Sequence, residues 1–360
     1  MGKPSLSPRD AEAAARGYLD IPSGVKSDDD RQRFLGSPDV LLALCSILRG
    51  RRDLAPAMVL GQAAEIYNWV SRTEFELGLF DERDYFLGES GLLAGIASRH
   101  LGRRDEAFLW LDRAEAGFRH TMNPAPGLAN VAYARLALRF EMGRYEDVLE
   151  LAPSLENSFA KLRMGVERAK CRLLRAMTLK QTGQHAMAIE VLDQLRAENE
   201  TSGDPLLVAR VLAELGDSQQ LEGRLDLAMA AFQEALSLLQ EHEVSLAKAD
   251  LKLYVGGIHK ALGSLAEAAD AFRAAQRDYQ ALGMPALSAY THLVVAETLL
   301  EMKREREAEW EILAALPTID ENHMVPEGFA ALALLRESVR RRSTDTSALQ
   351  QLKAQLQANS

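Results

Sequence analysis

The sequence predicts an all-α protein built as an α-solenoid, an array of antiparallel helix pairs. Ala and Leu, the strongest helix formers, are abundant, and runs of alternating Val, Ile and Thr that would indicate strands are missing. In addition, a helix–turn–helix pattern typified by residues 222–228 occurs six times. A pattern that returns at a fixed interval of a few tens of residues indicates stacked repeats.

The turns of the six repeats are almost equally spaced. Their central residues are Gly102, Gly143, Gly183, Gly223, Gly263 and Lys303, at steps of 41, 40, 40, 40 and 40 residues. Glycine adopts the left-handed conformation that ends a helix, because it has no Cβ to clash. We therefore expect each repeat to contain a first helix that ends at the glycine and a second helix that follows it.

Residues 1–36 are predicted to be an N-terminal helix and a linker. Ser7 is suited to cap a helix that runs to about Leu19, with Pro8 at its first position. The acidic triplet at 28–30 lacks the ligand spacing of a calcium loop and is interpreted as a solvated cap.

The rest of the chain divides into three predicted segments. Residues 37–84 are expected to form a first helical hairpin, with helices over about 37–49 and 53–70, and a junction. Residues 85–316 hold the six repeats, and residues 317–360 are predicted capping helices. Within the last segment the predicted elements are a connector at 317–326 and helices at 327–342 and 347–357.

The net charge, the apolar runs and the cysteines of the sequence argue against several classes of function. The net charge of −10 argues against direct nucleic-acid binding, which needs a positive surface. The sequence has no apolar run of membrane-spanning length and no apolar signal-peptide segment near Met1, so a cytoplasmic protein is expected. Cys45 and Cys171 fall on apolar-patterned helices and are interpreted as small buried residues in a reducing compartment.

The repeats resemble tetratricopeptide repeats. That family has a small residue at position 8, Gly at 15, Ala at 20, a large apolar residue at 24 and Ala at 27. Here the fourth and fifth repeats match best, with Gly216 and Gly256 at position 8, Ala228 and Ala268 at 20, Phe232 and Phe272 at 24, and Ala235 and Ala275 at 27. The resemblance covers about 37–316 and implies a right-handed superhelical solenoid.

The repeat is longer than the family's usual 34 residues. It is similar to the extended repeats of kinesin light chains, of maltose-regulon-type transcription activators and of peptide-sensing regulators.

The resemblance also implies a ligand-binding surface, because the family's first helices line a concave groove with positions 2, 5, 9 and 12. The candidate partner-binding residues are Leu92, Asn130, Tyr133, Phe140, Lys170, Leu173, Met177, Arg210, Asp217, Leu253, Lys260 and Tyr290. Members that grip a C-terminal carboxylate have Lys at position 5, which is missing here. A protein or peptide with apolar anchors fits better. The alternative is that Leu or Tyr at position 5 packs within its own repeat.

The sequence holds no pattern for catalysis or metal binding. Among seven histidines, His259 and His292 lie within predicted first helices and are interpreted as packed residues. His–Glu–x–x–His, paired Cys–x–x–Cys, Gly–x–Ser–x–Gly and phosphate-loop motifs are missing. We therefore expect a non-enzymatic protein without metal or cofactor.

Two functional hypotheses follow. The first is a non-enzymatic scaffold or adaptor that binds a protein or peptide in its groove and self-associates through its ends as a homodimer. The second is a peptide-sensing bacterial regulator, similar to response-regulator phosphatases that pair an N-terminal helical bundle with these repeats. Against the second, residues 1–36 are short and polar for a helix-turn-helix or a bundle.

Overall fold

Every regular element that the structure describes is an α-helix. The computed structural model describes residues 6–22, 25–51, 55–72, 80–199, 205–240, 245–321 and 324–344. The chain divides into two compact units, residues 1–182 and 183–360. The boundary falls at the turn of the third repeat, and each unit is described separately below.

The N-terminal unit contains nine of the described helices. They are α1 (Pro8–Asp20), α2 (Asp28–Leu35), α3 (Pro38–Arg51), α4 (Pro56–Arg72), α5 (Phe80–His100), α6 (Arg104–Arg119), α7 (Pro124–Glu141), α8 (Tyr145–Lys161) and α9 (Gly165–Gln181). The predicted first hairpin corresponds to α3 and α4, and the first repeat to α5 and α6.

The C-terminal unit contains the other eight. They are α10 (His185–Asn199), α11 (Pro205–Leu221), α12 (Leu225–Leu238), α13 (Leu246–Ala261), α14 (Leu265–Ala281), α15 (Pro285–Glu301), α16 (Glu305–Glu321) and α17 (Val325–Thr344). The fourth, fifth and sixth repeats are the pairs α11 and α12, α13 and α14, and α15 and α16.

The N-terminal segment has one helix that the sequence analysis did not predict. α1 forms as expected, and its cap Ser7 accepts a hydrogen bond from the Asp10 amide at 3.2 Å. However, the predicted linker contains α2, which begins with a capping box between Ser27 and Asp30. The linker prediction is wrong here because the acidic triplet forms a first helical turn, where carboxylates meet free amides.

A buried lysine joins the segment before α2 to α4. The Lys26 ammonium has no exposed side-chain surface and donates to Gln62 Oε1 at 2.7 Å and Glu65 Oε2 at 3.1 Å. It also lies 3.8 Å from the centre of the Tyr18 ring. Burial lowers the pKa of Lys26, although Glu65 opposes this shift. Burying the ammonium group therefore costs solvation free energy, which the contact with Glu65 offsets in part.

The predicted repeat turns all have the expected backbone geometry. The five glycines at 102, 143, 183, 223 and 263 have φ between 71° and 78°, and Lys303 in the sixth turn has φ 60°. In the fifth repeat, the Ser264 amide donates to the His259 carbonyl at 2.9 Å and the Gly263 amide donates to the Lys260 carbonyl at 3.0 Å. This double hydrogen bond is a Schellman motif, which caps the free carbonyls of the first helix.

The same geometry ends two of the second helices. Arg163 after α8 has φ 56° and Gly283 after α14 has φ 66°. Met164 donates to the Phe159 carbonyl and Met284 to the Tyr279 carbonyl, each at 2.9 Å. The turn that links one repeat to the next therefore matches the turn inside each of these repeats.

Small residues lie where the two helices of a repeat cross. A Cβ added at Gly95 would come 2.8 Å from Leu111, and one at Gly216 would come 2.6 Å from the Phe232 ring. Such separations are shorter than any tolerated carbon contact. The small residue at position 8 thus makes room for the large residue at position 24.

The C-terminal end differs from the prediction at one point. α16 continues through Pro317 to Glu321, so the connector predicted at 317–326 is wrong over its first half. The continued helix buries Ile319 in the same apolar cluster as Ala331 of α17, which offsets the backbone hydrogen bond that proline lacks. The helix predicted at 347–357 lies outside the described residues.

Candidate ligand-binding surface

Two of the predicted groove residues in the N-terminal unit are part of its core. Leu92 is 6% exposed and packs in a cluster with Leu111 and Phe118. Leu173 is 3% exposed. These two leucines at position 5 therefore follow the alternative interpretation, in which they stabilise their own helices and leave little surface for a partner.

The remaining candidates in the N-terminal unit are partly accessible. On α7, Asn130, Tyr133 and Phe140 are half-buried, and on α9 so are Lys170 and Met177. The Tyr133 ring lies 6.4 Å from that of Phe159 in an edge arrangement, and the Phe140 ring lies 5.6 Å from that of Tyr145. These contacts hold the two aromatic side chains in place and leave part of each accessible.

The C-terminal unit carries a more accessible set, which we name the first-helix face. Its members lie on the first helices of three successive repeats. They are Arg210 and Asp217 on α11, Asp250, Tyr254 and Lys260 on α13, and Tyr290 on α15. Arg210 is exposed and Asp217 and Lys260 are half-buried. Leu253, the other candidate on α13, is half-buried and packs against the buried cluster of Ala249, Ala275 and Tyr279.

Lys260 joins neighbouring repeats across the first-helix face. Its ammonium lies 2.8 Å from Glu297 and 3.2 Å from Glu301, both on α15. Burial opposes its charge, but the hydrogen bonds and charges of the two glutamates outweigh that effect and raise the pKa of Lys260. A partner would meet an ion-paired lysine here.

Two tyrosines provide the aromatic area of the first-helix face. Tyr254 is 36% exposed and Tyr290 is 44% exposed. The Tyr254 ring stacks on Phe232 at 5.3 Å between centres with an angle of 14°. Because one side of the ring is held by Phe232, its accessible surface is presented in a defined orientation.

Asp250 belongs to the same first-helix face and accepts a hydrogen bond from Tyr279. The Tyr279 hydroxyl, on α14, donates to Asp250 Oδ1 at 2.6 Å. Burial raises the pKa of the Asp250 carboxyl, although the Tyr279 hydrogen bond opposes the shift. Burial and the neighbouring Asp250 charge also raise the pKa of Tyr279. The site therefore holds a partly desolvated carboxylate.

Of Asp250, Tyr254 and Tyr279, the repeat pattern places only Asp250 among the residues that face the groove. Asp250 is at position 2, where Arg210 and Tyr290 were selected, so the repeat register contained a signal for it. Tyr254 is one helical turn after Asp250, which is also visible in the sequence. Tyr279 is in a different helix and is brought to Asp250 by packing.

The packed histidine predicted at 292 is the centre of a buried polar network. His292 Nδ1 lies 2.6 Å from Glu311 Oε2, and Nε2 lies 2.6 Å from the amide nitrogen of Gln276. Arg273 lies 3.5 Å from the other Glu311 oxygen. Both ring nitrogens are engaged, so His292 is a hydrogen-bonded core residue. It also lines a cavity of about 280 Å³ with Met284, Ser288 and Thr318.

Three further observations concern the described residues only. No group of three or more His, Cys, Asp or Glu side chains there has the geometry to hold a metal ion. No described helix combines the length and apolar character needed to cross a bilayer. Cys45 and Cys171 are free and buried, and burial raises the pKa of the Cys171 thiol to about 12.

The family profile described as tetratricopeptide repeat matches residues 209–241, which begin in α11 and extend just past α12. This part of the chain is therefore a tetratricopeptide repeat. This match confirms the predicted family, and the helix pairs described above confirm the all-α, TPR-like solenoid class. No curated protein matches the sequence.

Several solved structures are similar to this chain in fold. A Rap protein complexed with competence and sporulation factor is 11% identical, with a TM-score of 0.55 over 94% of this chain and 99% of that chain. BtubC from P. vanneervenii is 17% identical, with a TM-score of 0.52 over 64% of this chain and 92% of that chain.

A STAND ATPase with a TPR sensor from Pyrococcus horikoshii is 13% identical, with a TM-score of 0.62 over 85% of this chain and 50% of that chain. At these identities the likeness concerns the fold.

Proposed function

We propose that this TPR protein is a non-enzymatic, cytoplasmic adaptor that binds a peptide segment of a partner protein on the first-helix face. The observation that carries the proposal is the pair Tyr254 and Tyr290, which are 36% and 44% exposed on successive first helices. Tyrosine offers a large apolar area with a polar tip and few rotatable bonds, so it is favoured at binding surfaces.

The surroundings of the tyrosines support a peptide as the ligand. Leu253 adds apolar surface, and Arg210, Asp217 and Asp250 add charges of both signs. An apolar strip with charged sides suits a segment that has apolar anchors and a few polar side chains. In the N-terminal unit, Asn130, Tyr133, Phe140, Lys170 and Met177 are proposed as a second, separate contact surface.

A peptide-selection experiment tests the proposal. A phage library of peptides with free N-termini is selected on the full chain, and the affinities of synthetic winners are measured by fluorescence anisotropy. Tyr290→Ala together with Tyr254→Leu is expected to weaken binding at least tenfold, because aromatic anchors carry much of the energy of an interface. Leu313→Ala, which changes a 56% exposed apolar residue on α16, is the control and should bind like the unaltered protein.

Circular dichroism establishes that each variant is folded. If the double tyrosine variant retains full affinity, the first-helix face is not the binding surface. If the library yields no peptide that binds the full chain, the adaptor proposal itself is wrong.

A regulator is the second candidate, and one observation favours it. The similarity to the Rap protein extends over 94% of this chain, and aspartyl phosphate phosphatase F from Bacillus subtilis matches over 94% with a TM-score of 0.52. The test is to mix the chain with phosphorylated response-regulator receiver domains and to measure phosphate release. Release above the receiver's own rate would favour the regulator.

Self-association is also proposed, through the ends of the array. Light scattering coupled to size-exclusion chromatography measures the mass directly. A homodimer would have twice the chain mass of 39.7 kDa, and a mass of one chain across the micromolar range would contradict this proposal.

A further inference from the structure

Asp250 is a half-buried carboxylate without a cationic partner among the described residues, whereas Asp278, Glu297 and Glu301 nearby each have one. Its one polar contact there is the Tyr279 hydroxyl, at 2.6 Å from Oδ1. In the same repeat, Lys252 pairs with Asp278 at 2.5 Å, and Lys260 pairs with Glu297 at 2.8 Å. The basic side chains of α13 nearest the site thus have other partners.

The missing countercharge leaves a partly buried carboxylate in an unfavourable environment. Desolvation is the main influence on Asp250, and it raises the pKa of the carboxyl. A cation from a ligand would replace the lost solvation, because a charge-assisted hydrogen bond is strong where water is partly excluded. The register-equivalent cation on α11, Arg210, forms no ion pair with Asp250.

Aromatic rings stand next to this carboxylate. Tyr254 follows Asp250 by one helical turn on the same face of α13. Tyr290 occupies the equivalent of position 250 in the next repeat, forty residues on. The Tyr279 hydroxyl that holds Asp250 also lies within electrostatic range of both Tyr254 and Tyr290. A carboxylate beside the accessible rings of two tyrosines is an arrangement that attracts cations.

The hydrogen bond from Tyr279 favours one class of cation. A guanidinium binds a carboxylate best through both oxygens at once, in a planar fork. Here Oδ1 already accepts from Tyr279, so Oδ2 is the oxygen that has no hydrogen bond from any described residue. An ammonium group is a compact point charge that needs one oxygen and packs well against aromatic rings.

Building on the proposed peptide-binding function, we propose that Asp250, Tyr254 and Tyr290 form a subsite for a primary ammonium group of the bound peptide. The ammonium donates to Asp250 Oδ2 and contacts the accessible faces of the two rings. Its source is either a lysine side chain or the free N-terminal amine of the peptide.

The test uses the peptides selected on the full chain. Each peptide is synthesised with its lysine unchanged, acetylated, or replaced by norleucine or arginine, and with the N-terminus free or acetylated. Anisotropy titrations compare the unaltered protein with Asp250→Asn, which retains an oxygen to accept the Tyr279 hydrogen bond. Asp270→Asn removes an exposed carboxylate from α14 of the same repeat and is the matched control.

We expect neutralising one ammonium group to weaken binding to the unaltered protein and to Asp270→Asn at least tenfold. The same neutralisation should change binding to Asp250→Asn less than twofold, because the interaction that it removes is then already lost. Dependence on the lysine or on the N-terminus identifies the source. Tyr290→Leu should lose part of the preference for the charged peptide while it still binds the neutral one.

Three results would overturn the subsite. They are equal sensitivity to neutralisation in Asp250→Asn and in the unaltered protein, selected peptides that need no ammonium group, and, where binding depends on the lysine, full affinity when arginine replaces it. These outcomes all require peptides that bind, so they are distinct from failure of the adaptor proposal, in which the library yields no binder.

Discussion

Gly256 on α13 lies against the ring of Phe272 on α14. A Cβ at position 256 would come 2.5 Å from the Phe272 Cδ1 atom, and Phe272 itself is 2% exposed. The ring is enclosed by its neighbours, so it cannot move aside freely. The close approach of α13 and α14 in the fifth repeat therefore depends on the missing side chain.

The first prediction concerns this contact. Gly256→Ala should lower the free energy of unfolding by about 1–3 kcal/mol, because overpacking of a filled core outweighs the helix propensity of alanine. Urea denaturation followed by circular dichroism measures the change. The neighbouring Gly257→Ala is the control, since the nearest atom to its added Cβ is a side-chain nitrogen at 3.9 Å.

Gly257→Ala should raise the free energy of unfolding by about 0.5–1 kcal/mol, as expected for alanine in a helix interior. Equal effects of the two substitutions would show that the contact with Phe272 does not limit packing.

The second prediction concerns the left-handed residues that are not glycine. Lys303 has φ of 60° in a turn where the other repeats have glycine, and Arg163 has φ of 56° in the turn after α8, whose counterpart after α14 has Gly283. Arg163→Gly and Lys303→Gly should each stabilise the protein by about 1 kcal/mol, because the Cβ clash in this conformation disappears. The midpoint of chemical denaturation measures this. Gly143→Ala and Gly263→Ala, the reverse change in equivalent turns, should destabilise by a similar amount.

The third prediction concerns Asp250. Burial raises the pKa of its carboxyl above the usual 3.8, so the folded state binds the proton more tightly than the unfolded state does. The associated stability is present below the unfolded pKa and is lost as the pH rises through the folded pKa. At pH 7 the ionised carboxylate therefore costs stability.

Asp250→Asn should accordingly melt at the same or a higher temperature than the unaltered protein at pH 7. The difference should shrink as the pH falls through the raised folded pKa, and it should change no further below about pH 4, where the carboxyl is neutral in both the folded and the unfolded state. Tyr279→Phe removes the hydrogen bond and should lower the melting temperature. A lower melting temperature for Asp250→Asn at pH 7 would contradict the assigned cost of ionisation.

The fourth prediction concerns the buried network around His292. His292→Ala removes a hydrogen-bond partner from Glu311, which is 3% exposed, and leaves Arg273 at 3.5 Å as its remaining ionic contact. We expect a loss of about 3 kcal/mol in the free energy of unfolding, typical of a buried charge that loses a partner. The half-buried His259 is the control, and His259→Ala should change stability by less than about 0.5 kcal/mol.

Much of the repeat architecture was predictable from local patterns. The turn at Lys303 was placed by spacing alone, although the residue is not glycine, and its φ of 60° confirms the position. Helix ends are determined by the backbone conformation of a few adjacent residues, and those residues leave a visible mark in the sequence. The same holds for Ser7, whose capping role depends on the amide three residues away.

The two misplaced segments have different causes, a local capping box at α2 and distant burial at α16. The sequence signals at 28–30 and at Pro317 suggested a solvated cap and a helix end, but both lie within helices, α2 and α16. At Ile319 the helix gains by burying an apolar side chain that the connector would have exposed. Burial of this kind depends on elements that are distant in sequence. A helix-breaking residue such as proline therefore does not by itself predict where a helix ends.

The candidate site shows most clearly which features follow from the sequence and which follow from the packing of helices. Position 2 of each repeat, and hence the alignment of Arg210, Asp250 and Tyr290, follows from the repeat register in the sequence. The contact between Asp250 and Tyr279 joins residues 29 positions apart, and it exists because α14 packs against α13. Spacing along one helix specifies which side chains share a face, whereas burial and hydrogen bonding between helices determine which of them are accessible, which are paired, and which carboxylate lacks a cation.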